Sequence, residues 1–182
     1  NNHPELIKTH QQTLPFLGGA LREAFDLVNY EYTVLMASDL ETDPHSVKDL
    51  INEAQNGYDI VTCTRWHKTA SFKGYNPIKL ILNKIFQGIF RLMYRTKLTD
   101  LTFAFRIYKT DILKKIKWTE LKHPFLFECL IKPMRLGYTI KEIPSSWKTR
   151  EEGVSQNTFM TNFVYIYTGL KTLLTSKKKI LK

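Results

Sequence analysis

Asp39 and Glu41 stand two residues apart in Ser38-Asp39-Leu40-Glu41-Thr42-Asp43-Pro44, directly after the apolar run Tyr32 to Ala37. On an extended segment leaving a strand, two carboxylates at this spacing can converge on one hard divalent cation, with waters and diphosphate oxygens completing its shell. Such a cation is a Lewis acid that neutralises a departing phosphate group. Asp43 suits a different task. Placed before Pro44, it reads as the N-cap of a helix that continues to about Gln55.

The second chemical signal is the distribution of charge. The chain has 182 residues and a formal net charge of +10. From Ile60 to Thr99 there is no Asp or Glu, yet Arg65, Lys68, Lys73, Lys79, Lys84, Arg91, Arg95 and Lys97 all occur. From Gly153 to the end the pattern repeats with Lys171, Lys177, Lys178, Lys179 and Lys182. Local excess of this kind implies an anionic partner: phosphate groups, a membrane surface or nucleic acid.

The elements that must position these groups follow from periodicity. Leu17, Ala20, Leu21, Ala24, Phe25 and Val28 predict a helix over Pro15 to Val28, and Tyr32 to Ala37 a short buried strand. Asp59 to Cys63 predicts a second buried strand, after a helix end at Asn56-Gly57. Pro77 opens a long helix to about Tyr94, with Lys84, Gln87, Arg91 and Arg95 as a polar stripe opposite Ile78, Leu82, Ile85, Ile89 and Leu92. Further expectations are a strand at Phe103 to Tyr108 and a short helix at Asp111 to Lys115. A helix over His123 to Leu136, perturbed by Pro133, then leads to a strand at Tyr138 to Ile143. A last helix runs from Thr158 to Leu174. The alternation predicts an α/β fold with a mostly parallel sheet flanked by helices. Cys63 and Cys129, isolated in apolar surroundings, read as small core residues. Both long helices are amphipathic and cationic, so their apolar faces either lie on an anionic bilayer or pack on the sheet.

Several segments then fall into a known order. Gly18-Gly19-Ala20-Leu21 precedes Val34-Leu35-Met36-Ala37-Ser38-Asp39-Leu40-Glu41-Thr42-Asp43-Pro44. Val61-Thr62-Cys63-Thr64-Arg65-Trp66, Thr99-Asp100-Leu101-Thr102-Phe103-Ala104-Phe105-Arg106 and Phe127-Glu128 follow. Gly137-Tyr138-Thr139-Ile140-Lys141-Glu142-Ile143-Pro144 and Arg150-Glu151-Glu152-Gly153-Val154-Ser155 complete the series. Over residues 13 to 158 the chain resembles the family 2 inverting glycosyltransferases, above all their dolichyl- and polyprenyl-phosphate sugar transferase branch. Departures are visible. Ala37 replaces the first aspartate of the usual Asp-x-Asp, Ala104 replaces a glycine, and Gln156 stands where a lysine is common. The family's first two strands, which hold the nucleotide base, have no counterpart before Asn1, so the resemblance implies an N-terminally incomplete domain: either a fragment or a protein that cannot bind nucleotide in the usual way.

The resemblance implies a GT-A-like (Rossmann-like) domain over residues 1–156, followed by an amphipathic basic helix over 157–182. It implies a transfer, assisted by Mg²⁺ or Mn²⁺, of a sugar from a nucleoside-diphosphate sugar to a polyprenyl phosphate at the cytoplasmic face of a membrane. Asp39 and Glu41 become the metal ligands, and Arg65, Arg106 and Arg150 the phosphate contacts. Asp100 would meet sugar hydroxyls or a nearby arginine, and Glu128 and Ser155 are further substrate contacts. A duller role for Arg65 and Arg106 is as ion-pair partners of Asp100 and Glu128. A family 2 transferase acting on a glycan hydroxyl stays open too, and would need Asp100 or Glu128 as a base. So does an inert membrane-associated fragment. A nucleic-acid module finds no support, because aromatics do not interleave with the cations as a stacking platform requires.

Overall fold

The computed structural model describes residues 4–39, 41–67, 72–73, 77–148 and 161–182. α1 (Phe16–Leu27) precedes β1 (Tyr32–Leu35), and a single 3-10 turn, Pro44–Ser46, leads into α2 (Val47–Gln55). Asp43 caps that turn, its carboxylate accepting the His45 N–H at 2.9 Å. β2 (Ile60–Thr64), the two-residue β3 (Phe72–Lys73) and the long α3 (Pro77–Tyr94) follow. Next come β4 (Arg106–Lys109), α4 (Thr110–Lys115), α5 (Phe125–Leu136), β5 (Ile140–Pro144) and β6 (Trp147–Lys148). α6 (Thr161–Leu174) and α7 (Lys177–Ile180) close the described chain. Pro133 lies within the last turn of α5 without breaking it, and the helix ends at Gly137, whose φ is +94°.

The main sheet has the order β1-β4-β2-β5. β2 and β5 pair in parallel, whereas β4 runs antiparallel to both β1 and β2. Three of the four strands therefore point one way, and the sheet is mixed because β4 is inserted in reverse between two of them. Side-chain alternation explains the layers. Ile60 and Tyr108 face a core with Phe25 of α1, Leu113 of α4 and Phe125 of α5. Val61, Cys63, Ile107 and Ile143 face the other way, onto Leu50 and Ala54 of α2. Both cysteines are buried thiols, as apolar surroundings suggested. Gly18 lets α1 approach the chain after α4: its N–H donates to Leu121 O at 2.7 Å, and a Cβ there would sit 2.7 Å from the same oxygen.

A third cluster joins Phe90 of α3, Phe127, Leu130 and Ile131 of α5, and Tyr165 of α6. Here the structure decides between the two settings left open for the apolar stripe of α3, which does not pack on the sheet. Gln87 is only 4% exposed, while Ile78, Ile81, Leu82, Ile85, Ile89 and Leu92 are exposed. The inward arc is filled by Phe86, Gln87 and Phe90, so the aliphatic stripe has no sheet to lie on. α6 repeats the pattern, burying Tyr165, Thr168 and Thr172 while Phe163, Ile166, Tyr167, Leu170 and Leu174 are exposed. α3 and α6 meet at Gly169, where the Tyr94 hydroxyl donates to the Gly169 carbonyl at 2.8 Å. The terminal segment is also knitted into the domain. Lys117 N–H donates to Ile180 O at 2.8 Å and Lys182 N–H to Lys115 O at 2.9 Å. Among the described residues no helix is long and apolar enough to cross a membrane.

Candidate active site at the strand ends

The carboxyl ends of β1, β2 and β5 open on one edge of the sheet, where ligands of open α/β sheets are bound. Because β4 is reversed, the loop that enters it, Thr99 to Phe105, lies on that same edge; Leu35 and Thr62 both stand in register with Arg106. Asp39 sits just past β1, and its Oδ1 accepts the Glu41 N–H at 3.2 Å. Glu41 Oε2 accepts the Trp147 indole N–H at 3.1 Å, and the Glu41 carbonyl accepts the Lys148 N–H at 3.0 Å. The acidic segment is thereby pinned to β6. Two carboxylates are the hard-oxygen donors that Mg²⁺ and Mn²⁺ take. Among the described residues no group of three or more His, Cys, Asp or Glu side chains comes together, so a cation here would draw the rest of its shell from ligand oxygens and water.

Arg65, just past β2, is gripped by Asp100. Its Nε donates to Oδ2 at 2.7 Å and its Nη2 to Oδ1 at 3.0 Å, with a longer donation to Thr102 Oγ1 at 3.4 Å. The Arg65 Cζ lies 4.7 Å over the Phe103 ring, a cation–π contact that fixes the guanidinium plane. Asp100 is fully buried and the Arg65 side chain is 11% exposed. Burial alone would raise the Asp100 pKa; the Arg65 charge and the hydrogen bonds from Arg65 and Thr102 outweigh it and hold the carboxyl below its ordinary range.

The Asp100 loop is itself held by two side chains to which the sequence assigned no task at the site. Glu142 of β5 accepts the Thr99 N–H at 2.8 Å, the Thr99 hydroxyl at 2.8 Å and the Asp100 N–H at 2.9 Å. Gln87 of α3 accepts the Leu101 N–H at 2.9 Å and donates to Asp100 Oδ1 at 3.3 Å and Thr102 Oγ1 at 3.1 Å. Three consecutive backbone amides, 99 to 101, thus end on side chains from two different elements. Desolvation raises the Glu142 pKa, and the nearby Asp100 charge adds to the rise against the lowering effect of the hydrogen bonds. Gln87 had a faint signal, as an uncharged residue on a stripe of lysine and arginine. Glu142 lay within a quoted motif but had no assigned task.

The other expected site residues separate. Arg106 is wholly buried, and it does not pair with Glu128. Its Nε donates to Thr62 Oγ1 at 3.0 Å, Nη1 to Leu126 O at 2.6 Å and Nη2 to Leu101 O at 3.0 Å. Those contacts tie β4 to β2, to the start of α5 and to the Asp100 loop. Glu128, also buried, accepts the Thr119 hydroxyl at 2.5 Å and the Glu120 N–H at 3.0 Å and pairs with Lys132. None of these partners belongs to the strand-edge site. Arg150 and Ser155 lie outside the described residues.

The model of the glycosyl transferase family 2 matches residues 3–117, well over half of the chain and inclusive of Asp39, Glu41, Arg65, Asp100 and Arg106. The chain belongs to glycosyl transferase family 2. Among curated relatives of this family 2 chain, the polyprenol monophosphomannose synthase of Mycolicibacterium smegmatis is 23% identical over 153 residues, covering 81% of this chain and 58% of that protein. The dolichyl-phosphate hexose transferase of Haloferax volcanii is 31% identical over 102 residues, covering 56% of this chain and 42% of that protein. The glycosyltransferase AglD of the same organism is 27% identical, with 73% of this chain and 22% of that protein covered. The chain thus spans well under two thirds of each. In fold, it resembles the glucosyl-3-phosphoglycerate synthase of Mycobacterium tuberculosis solved with uridine diphosphate, with a TM-score of 0.67 at 15% identity over 93% of this chain and 57% of that one. The same enzyme solved with Mn²⁺, UDP-glucose and phosphoglyceric acid gives a TM-score of 0.63. The family 2 chain accordingly has a GT-A-like fold, and its relatives include polyprenol-phosphate sugar transferases.

Proposed function

We propose that this family 2 chain transfers a sugar from a nucleoside-diphosphate sugar to a polyprenyl phosphate, with inversion, at the cytoplasmic face of an anionic membrane. One observation carries the reading. Helix α3 bears an exposed aliphatic face on one side and on the other sends Gln87 onto Asp100, the partner of Arg65, with cationic Lys84 and Arg91 on the helix and Arg95 just past its end. A lipid acceptor needs both a bilayer-facing surface and a phosphate contact next to it.

In the transfer, an oxygen of the acceptor phosphate bonds to the anomeric carbon from the face opposite the leaving diphosphate. The carbon–oxygen bond to the diphosphate breaks, and the diphosphate keeps the electron pair. A phosphate monoester is already anionic at neutral pH, so no base has to remove a proton. The site has to align two anions and stabilise the charge that departs. Asp39 and Glu41 would hold Mg²⁺ or Mn²⁺, which when bound neutralises the diphosphate. Arg65, its plane fixed by Asp100 and Phe103, meets a phosphate oxygen with a geometry that lysine could not reproduce. Arg150 and Ser155 add phosphate contacts from the segment after β6. Asp100 serves as the orienter of Arg65, while Arg106 and Glu128 hold the surrounding frame.

The reading with a glycan hydroxyl as acceptor is disfavoured by the same geometry. It needs a carboxylate base, yet Asp100 and Glu128 are both buried and engaged by cations. The test is a transfer assay with labelled nucleoside-diphosphate sugars, polyprenyl phosphate in vesicles and simple glycans. Label extracted with the lipid is expected; label found only in glycan overturns the lipid acceptor. Calorimetry with Mn²⁺ and a nucleoside diphosphate separates either enzyme from an inert chain, which would give no binding heat.

A further inference from the structure

α3 has two opposite faces that touch different things. Outward it presents Ile85 and Ile89, 54% and 51% exposed, within a continuous aliphatic stripe. Inward it sends Gln87 into the site, where the side chain contacts Asp100 Oδ1, Thr102 Oγ1 and the Leu101 N–H. One turn earlier the Asn83 side chain accepts from the same Gln87 Nε2 at 3.1 Å, which fixes the amide orientation. Lys84, also on α3, lies 5.8 Å from the ring centre of Trp66, the neighbour of Arg65. The helix therefore touches Asp100 itself and Trp66, the chain neighbour of Arg65.

We propose that Gln87 is a positioning residue through which docking of α3 on an anionic bilayer sets the orientation of the Arg65 guanidinium. This rests on the reading of the exposed α3 face as bilayer-binding. Two Gln87 donations, at 3.1 and 3.3 Å, lie towards the long end of the hydrogen-bond range, so a slight rotation of α3 changes them appreciably. Elsewhere the inward face of α3 is aromatic: Phe86 and Phe90 pack on Phe127 with ring centroids 5.3 and 5.1 Å apart. Such contacts tolerate small rotations that directional bonds do not. Burying the aliphatic stripe in a headgroup layer outweighs three net hydrogen bonds, so on a bilayer the surface dictates the rotation of α3. Coupling between two sites is reciprocal, so a phosphate held at Arg65 tightens vesicle binding by the same factor.

Amide hydrogen exchange of the full chain tests this, with and without vesicles of equal parts phosphatidylglycerol and phosphatidylcholine. On vesicles the Leu101 and Thr102 amides are expected to exchange roughly fivefold more slowly, as their hydrogen bonds tighten. Gln87→Met fills the same space without hydrogen bonds; it should sediment with vesicles like the wild type and show no vesicle-dependent slowing. Ile85→Glu combined with Ile89→Glu, at exposed positions remote from the Gln87 contacts, removes apolar burial and adds like-charge repulsion to the anionic lipid, and should abolish sedimentation and slowing together. A Gln87→Met protein that is slowed as much as the wild type overturns the proposal. So does a wild type that sediments with vesicles while its Leu101 exchange stays unchanged. A wild type that fails to sediment overturns the bilayer reading itself, and this inference with it.

Discussion

Arg65 and Asp100, 35 positions apart in sequence, form a two-point ion pair with contacts of 2.7 and 3.0 Å at the edge where β2 ends and the loop into β4 begins. The pair brings a fixed guanidinium to a fully buried anion. Removing one partner of a buried pair leaves the other charge uncompensated, which costs about 3 kcal/mol. Asp100→Asn is expected to lower stability by about that much, read from urea unfolding. Arg65→Lys keeps the charge but loses the fork, and transfer to polyprenyl phosphate should fall more than about tenfold. Wild-type transfer by Arg65→Lys would confine Arg65 to a structural role.

The carboxyls that share the Thr99–Thr102 loop give opposite pH signatures. Asp100 is depressed on folding from an ordinary 3.8, so its stabilisation is present above that value and is lost as pH falls through the lower folded pKa. Glu142 is raised from an ordinary 4.5. The folded state then keeps that proton longer than the unfolded chain, so its contribution favours folding below 4.5 and declines as pH climbs through the folded pKa. Urea midpoints from mildly acidic to neutral pH should show this decline in the wild type. Glu142→Gln, which cannot titrate, should lack it.

Glu41 accepts the Trp147 indole N–H at 3.1 Å, which puts a fluorophore beside the candidate metal ligand. Mn²⁺ is paramagnetic and should quench tryptophan emission on titration, with EDTA restoring it. Asp39→Asn and Glu41→Gln should each weaken the response more than about tenfold, since even outer contacts of a metal site carry effects of that size. Trp147→Phe should reduce the quenching while calorimetry still detects the ion. Quenching that persists undiminished in both carboxylate variants would place the cation elsewhere.

Gly169 is required by the approach of α6 to α3. A Cβ there would stand 2.1 Å from Phe90 Cε1, far inside contact distance. Gly169→Val should destabilise the chain by about 2 kcal/mol through overpacking, measured by urea unfolding. An unchanged midpoint would mean that Phe90 yields without cost.

Much of the frame was legible because it depends on local periodicity. The helix from Pro77 to Tyr94 and the cap at Asp43 followed from spacing and from proline's fixed backbone angle. The strand at Ile60 followed from an unbroken apolar run, as expected for a strand buried on both faces. The reversed β4 was not legible, because Phe103 to Tyr108 reads as the same apolar segment whichever way it runs. The facing of α3 stayed open for a related reason. Amphipathicity identifies an apolar stripe but not which side meets the protein, and Phe86 and Phe90, between the two stripes, decided the matter.

The sequence by itself determined the family, through short ordered segments whose backbone and side-chain chemistry are read locally, and it marked Asp39, Glu41, Arg65 and Asp100 as residues of interest. Only the tertiary structure decided how they divide the work. Arg65 could pair with Asp100 or with a ligand as far as sequence shows; the folded chain sets its guanidinium against Asp100. Arg106 looked like the equal of Arg65, but register with Thr62 and contact with Leu126 draw it wholly inside. Gln87 and Glu142 gained their roles only when α3 and β5 converged on three amides of one loop. Hydrogen-bond partners distant along the chain are chosen by packing, and no local pattern encodes that choice.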